Sequence, residues 1–501
     1  MDQTTRVSDG FELREDGQLE MTLFGSASPA TMHTVARVDP GFVLRSFEFS
    51  LDPGTGAVSI HGRVTPPSGA GKYTLALSIT SAGATRTDTR ELPQAPVVSL
   101  NLSRLLAEAH LTPGSRSRWT VLDPATLNAA PVTVEVGSRT IVRTGDTLIP
   151  AFRVEMAFQG LRTTSYITDT GEVVKEESPL GLMTLRESRE RAQGMAISGR
   201  VRADLLQASA IVPTLRNRID EPRDVRRLRL RLTGADLSGF DLDGVGQTLQ
   251  RAVPPAPGDT SDQERSRPDA TDLGTTAYEI DVVDPRSLRP GRAEADVARY
   301  LRPEPLIESD ALEIRAEAEK AVRGVTGTRA RAERLTRYVN ALIDKKPTIS
   351  LPSALEVLHT KVGDCNEHTA LYVAMARAIG IPSRIVVGLV LTQGAFYYHA
   401  WPEVYIDAGG GQGLWLPADP TLNEFPADAT HVRLLRGGLE RQAAILPLIG
   451  TLRISVIDLQ LAPGAERVLV GRRPANLTAA DITALATDLS KRDSCHCGSS
   501  R

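Results

Sequence analysis

The chain has 501 residues, room for about three domains at ~150 residues each. Hydrophobic residues make up 41% and charged residues 24%, so ordinary packed cores are expected and wholesale disorder is not. Lys+Arg 58 against Asp+Glu 61 leaves a formal charge of -3, and aromatics are only 4%; a nucleic-acid coat needs a basic excess or aromatic stacking platforms, and neither is here.

The first stretch, MDQTTRVSDGFELREDG, is polar and lacks the apolar centre of a signal peptide. No run approaches 18 uninterrupted apolar residues, so no membrane-spanning helix is expected. A cytoplasmic location follows from these two readings; an envelope or periplasmic one follows instead if the start is mis-assigned.

Residues 1–185 read as a β-rich domain. Phe47, Phe49 and Leu51 alternate at period two, and Val58, Ile60 and Gly62 repeat the pattern after a Pro-Gly turn. Tyr73, Leu75, Leu77 and Ile79 do the same, as does the run from Phe152 to Ile167, closed by Asp169-Thr170-Gly171. No fixed-period repeat occurs, so an antiparallel meander, sandwich or open barrel is expected.

A second β-rich segment spans 186–300. Its clearest strand alternates Leu228, Leu230 and Leu232 with Arg227, Arg229 and Arg231. The arginines read as a solvated outer face; the alternative is a basic ladder for an anionic partner. Pro254 to Asp272 holds almost no large apolar residue and reads as a mobile loop.

Residues 301–472 read as a third region, helical at first and then stranded. Ser309 or Asp310 is positioned to cap a helix running to Gly324. A second helix follows Thr328, with Leu335, Val339 and Leu342 on one face, and Ser353 with Glu356 makes a capping-box pattern. The helix after Cys365 sets Leu371, Met375 and Ala378 on one face and stops at Gly380. Strands are expected over Arg384–Leu391, Phe396–Ile406 and Leu414–Ala418. Residues 473–501 hold a last helix from Thr478 to about Lys491 and a loose tail.

A thiol nucleophile needs a stabilised sulfur, a base beside it and a third group to orient the base. Cys365 opens a helix, where the dipole favours a negative sulfur. His399 lies inside a strand, and Asp419 ends the next one. Neighbouring strands lie within about 5 Å, so Asp419 can accept from one imidazole nitrogen while the other faces sulfur. A depressed thiol pKa and fast reaction with iodoacetamide are then expected. Only Cys495 and Cys497 accompany Cys365, so a disulfide-built fold is excluded. His368 makes a Cys-x-x-His spacing, but zinc wants four ligands and no second pair lies nearby. Glu367 reads as a solvent-facing or supporting carboxylate, and Asp364 as the helix cap. Cys495-His496-Cys497 reads as an unstructured end rather than a metal site.

Gly363-Asp364-Cys365, then His399-Ala400-Trp401 with Glu403-Val404, then Asp419-Pro420, together resemble the transglutaminase-like superfamily, in particular its bacterial cysteine protease core. The segment from Arg377 to Arg384 is similar to that family too. The resemblance covers roughly 310–430. It implies an α+β, papain-like core of helices packed on an antiparallel sheet. It implies a Cys-His-Asp triad with Cys365 as nucleophile, His399 as base and acid, and Asp419 as orienter, while Trp401 packs beside His399. The β-rich first half faintly resembles domains preceding such cores in some bacterial envelope proteins.

The expected function is acyl transfer through a thioester, with hydrolysis of an amide or peptide bond favoured. A crosslinking transglutaminase with an amine acceptor is the alternative, and a non-catalytic envelope scaffold the competing class. The expected partner is a protein or peptide substrate, with an apolar or envelope ligand for the β-rich half as a weaker reading. No nucleotide loop or cofactor fingerprint occurs, so no cofactor is expected.

Overall fold

The structure is a computed structural model. It describes residues 2–465 apart from 24–25, 55, 70, 125–126, 146, 159–160, 179–182, 189, 193–208, 215–218, 220, 255–275, 347–352, 439–440 and 442. Nearly all of the loop expected at 254–272, the helix expected at 478–491 and the Cys495-His496-Cys497 tail lie outside the described residues.

A transglutaminase-like fold is joined to a large antiparallel β-rich region. Residues 2–92 form a seven-stranded sheet in which every strand pairs with its sequence neighbour. Residues 116–185 form a six-stranded sheet with the same simple order. Phe47, Phe49, Leu51, Ile60, Leu75, Leu77 and Ile79 all enter one core on the first sheet, as their alternation requires. Helix α1 (Ser99–Glu108) connects the two sheets. It sends Val98 and Leu100 to the first sheet's core and Leu102 and Leu106 to the second's.

The rest is layered. Strands β1 (Val225–Thr233), β2 (Gln247–Val253), β3 (Ala277–Val283) and β9 (Arg453–Leu461) make a four-stranded sheet in the order β2-β3-β1-β9. Strands β4 (Gly291–Arg292), β5 (Ser383–Thr392), β6 (Ala395–Gly409), β7 (Gln412–Pro417) and β8 (His431–Arg436) make a five-stranded sheet in the order β4-β7-β6-β5-β8. The two sheets share a core built from Leu228, Leu230, Leu232 and Ile280 on one side and Leu389, Phe396, Val432 and Leu434 on the other.

Helices α2 (Leu312–Ala321), α3 (Thr328–Leu342), α4 (Ala354–Thr360) and α5 (Cys365–Ala378) share a second core with Val404 and Leu416 of the five-stranded sheet. α5 is buried on all sides from Glu367 to Arg377. It is therefore the central helix, not the one-faced helix its Leu371-Met375-Ala378 spacing predicts. α2 is capped at Ala311, one residue past Asp310 and two past Ser309, the two cap positions expected. Asp310 pairs instead with Arg86 of the first sheet, and Ser309 is buried. Ser353 does cap α4, accepting from Glu356 N–H and donating to buried Glu308. No helix among the described residues is long and apolar enough to cross a membrane.

The arginine face of β1 is not simply solvated. Arg227 pairs with Asp281, and Arg231 pairs with Glu279, both on β3. Arg251 of β2 reaches the same Glu279 carboxylate. The basic ladder therefore meets anions of its own sheet, because cross-strand neighbours lie close enough to pair. Hydrogen bonds from Arg251 and Arg231 hold Glu279 down to about 2. A carboxylate lowered in the folded state stabilises fully above its unfolded value near 4.3 and loses that contribution as pH falls toward 2. Glu279→Gln should therefore flatten the acid limb of the urea midpoint between about pH 4.5 and 2, measured by circular dichroism, with little change in that limb above pH 6.

Candidate active site

The order of events along residues 363–367 builds the start of α5. Asp364 accepts from Asn366 N–H, and Glu367 reaches back to Asp364 N–H at 2.8 Å, a reciprocal capping box. Glu367 is 4% exposed, so it is a buried cap partner, not a solvent-facing carboxylate. Gly363 is required by this: a Cβ there would meet the Glu367 side chain at 2.2 Å. Cys365 is the first residue of the helix thus secured.

The strand opposite is β6. β7 ends at Pro417, opposite Glu403, and Ala418 N–H then donates to Pro402 O. Pro402 has no N–H to offer, so the ladder ends here without a wasted donor. The next backbone N–H on that edge belongs to Ala400, and it hydrogen-bonds the Cys365 sulfur. Cys365 is thereby docked on the immediate neighbour of His399.

His399 Nε2 lies 2.7 Å from Asp419 Oδ2. Asp419 is fully buried just past the end of β7. Its other oxygen, Oδ1, accepts Thr421 N–H at 2.8 Å and Leu422 N–H at 2.9 Å. Burial opposes the charge on Asp419, but His399 and His431 override it and hold the carboxyl well below the usual range. Trp401 is 1% exposed and lies beside the His399 ring, centroids 6.1 Å apart.

His431 is the residue the sequence reading missed. It lies on β8, and its Nε2 sits 3.0 Å from the same Asp419 Oδ2. Its Nδ1 is 3.3 Å from Asp428 Oδ1. The Asp428-Ala-Thr-His431 segment carries the signal: a buried carboxylate three residues before a histidine at the start of a strand. Two imidazoles and a carboxylate converge, but both rings meet one oxygen at hydrogen-bond distance, and the arrangement is a hydrogen-bonded network.

His368 lies one turn into α5, fully buried, with Nδ1 2.6 Å from Asp364 O. Burial pushes it down to about 4, so it is neutral and structural at this position. Tyr398 packs against the core between the two sheets.

Arg384 and Glu403, both inside the family-like segments, face each other across β5 and β6. Arg384 Nε donates to Glu403 Oε2 at 2.8 Å and Arg433 Nη1 donates to Oε1 at 3.1 Å. The Arg384 guanidinium stacks 3.8 Å above the Trp415 ring. Burial resists ionisation of Glu403, but Arg384, Arg433 and Arg436 prevail and hold it at about 2. This ion cluster fixes β6 four residues from His399. Gly388 of β5 allows the close packing there, since a Cβ would meet Val432 O at 2.0 Å and Trp401 at 2.8 Å.

Residues 315–420 match the family model described as the transglutaminase-like superfamily. They are a transglutaminase-like domain. A search of curated proteins gives no match. Among solved structures, a candidate cysteine protease from Cytophaga hutchinsonii is 16% identical, covers 50% of this chain and 92% of its own, and has a TM-score of 0.29. A β-barrel-like domain from Brucella abortus is 13% identical, with coverages of 36% and 80% and a TM-score of 0.27. A structure described as a TGase is 15% identical, with coverages of 35% and 45% and a TM-score of 0.17.

The thiol of this transglutaminase-like domain differs from expectation in one respect. Burial, then the charge of Asp364, pushes Cys365 well above its ordinary value, and the Ala400 N–H only partly offsets them. Desolvation and a neighbouring carboxylate thus act on the sulfur against the helix dipole. Asp364→Asn keeps an equally good N-cap and removes the charge. Its iodoacetamide alkylation rate at pH 7.5, followed by intact mass, should exceed that of the wild type several-fold. An equal rate would remove Asp364 as a cause.

Proposed function

We propose that this protein is a thiol-dependent acyl-transfer enzyme that cleaves amide or peptide bonds through Cys365, His399 and Asp419. The observation that carries this reading is the His399–Asp419 hydrogen bond at 2.7 Å, with the Cys365 sulfur held on the N–H of the next residue, Ala400. The match of residues 315–420 to the transglutaminase-like superfamily supports it.

The proposed proton path starts from the His399–Asp419 pair. Nε2 of His399 is committed to Asp419, which leaves Nδ1 to take the thiol proton. This transfer accompanies attack on the carbonyl. The S–C bond forms as the C=O π pair moves onto oxygen. The N–H of Cys365, first in α5, is placed to donate to that oxygen. His399 then returns the proton to the amine as the C–N bond breaks, leaving a thioester. Water attacks next, with His399 as its base. The carboxylic acid leaves, and the proton returns to sulfur. An amine in place of water gives a crosslinked product instead.

The test is intact-mass analysis after incubation with acyl-donor peptides and a labelled primary amine, for wild type and Cys365→Ala. Cleavage or deamidation by wild type alone is the expected result. Amine incorporation by wild type alone establishes transfer as the reaction. Absence of product from both, across several donors, overturns catalysis in favour of a scaffold. Asp419→Asn should lower kcat by about 10²–10⁴ with KM nearly unchanged, because orientation of the base acts in the transition state.

A further inference from the structure

His431 lies outside the three residues assigned to the reaction, yet it shares an oxygen with them. An ionised carboxylate only accepts hydrogen bonds. Asp419 Oδ2 faces His431 Nε2 at 3.0 Å, and Asp428 Oδ1 faces His431 Nδ1 at 3.3 Å. Asp428 Oδ1 also receives Thr430 N–H at 2.8 Å and Thr430 Oγ1–H at 2.6 Å, so it is itself held as an acceptor. With an acceptor on each nitrogen, the His431 ring satisfies both only as an imidazolium. His399, by contrast, has one carboxylate, on one nitrogen.

We propose that His431 is a positioning residue, a cationic clamp on Asp419 that tunes the imidazole of His399. The inference rests on the triad reading above. The clamp fills the fourth acceptor position of the Asp419 carboxylate, whose others go to His399, Thr421 and Leu422. The carboxylate then has one available orientation. The ring centroids of His431 and His399 lie 6.1 Å apart, and Trp401 packs against both rings, its centroid 5.2 Å from that of His431 and 6.1 Å from that of His399. A fixed positive charge at that distance disfavours a second one on His399.

The surrounding charges favour the same state. Asp428 and Asp419 together outweigh the burial of His431 and raise it well above its ordinary value. Glu424 lies in the same loop, pushed up to about 7 by burial and by Asp428, and pairs with Arg223 beside β1. From the helical side, Lys345 and His368 bear on Asp419, both pushed down by burial. Neither neutralises the two aspartates that face His431.

Nitrogen-15 NMR of the histidine rings tests this in full-length Cys365→Ala, where no thiol titrates beside His399. His431 should keep the signature of an imidazolium from pH 5 to 8. In Cys365→Ala with His431→Gln, an amide still donates to Asp419 but the charge is gone. The His399 midpoint should then rise by about one to two pH units, as expected for loss of a unit charge near 6 Å at an effective dielectric of 20 to 40. A neutral His431 ring at pH 7 overturns the proposal, as does a His399 midpoint that does not move. Asp428→Asn offers the same test where the glutamine variant does not fold: the His431 midpoint should fall into the pH 5 to 8 window, and a ring still fully protonated at pH 8 counts against the clamp. These titrations need no catalysis. An inactive wild type would sink the enzyme reading while leaving them interpretable.

Discussion

A carboxylate with no exposure to water dominates this structure. Asp419 is fully buried, and an isolated charge there is strongly unfavourable. It exists because four donors surround it: two imidazoles on one oxygen and two backbone N–H groups on the other. The donors come from three pieces of chain. β6 brings His399, β8 brings His431, and the turn after Asp419 brings Thr421 and Leu422. The five-stranded sheet must therefore be complete before the site can form, and the site in turn pins three of its segments.

The rest of the scaffold serves this arrangement. Leucines of β1 hold the four-stranded sheet against β5, β6 and β8. The helices bury the other end of β6 through Val404, together with Leu416 of β7. Between these two cores the middle of β6 carries the reactive row. His399, Trp401 and Glu403 alternate along one face, so imidazole, ring and buried ion cluster are set at fixed intervals. α5 supplies the thiol from the edge, where the end of β7 leaves the Ala400 N–H open. A buried central helix and a strand gripped at both ends give the rigidity that positioned chemistry requires.

Much of this was legible in the residues. Period-two alternation is enough to read strands such as Phe47-Phe49-Leu51, because one face of a sheet must be apolar. Ser353 and Asp364 announce helix starts, because their side chains satisfy N–H groups that the helix leaves open. Cys365, His399 and Asp419 stand in family-like contexts, and the structure does bring His399 onto Asp419 and Cys365 onto the adjacent backbone. Three things were not legible. Glu367 reads as either a solvent-facing or a supporting carboxylate until its return bond to Asp364 decides for the second. The arginines of β1 look solvated until Asp281 and Glu279 appear across the strand boundary. The Cys365 thiol looks activated by its helix alone, and only the folded chain shows the desolvation and the Asp364 charge that push it the other way.

His431 marks the boundary between the two kinds of knowledge. Local chemistry is written in short segments: alternation, helix caps such as Ser353 and Asp364, and the glycine at Gly380 that stops α5. These depend on near neighbours, and sequence alone determined them. Which side chains meet across 12, 20 or 30 residues depends on register and on which strand edge is vacant. β8 could have paired anywhere on the sheet edge. It pairs with β5, opposite Val390, and that register alone carries His431 to Asp419. Burial is likewise a property of the whole packed chain, so the charge states of Cys365, Asp419 and His431 were decided only in the tertiary structure.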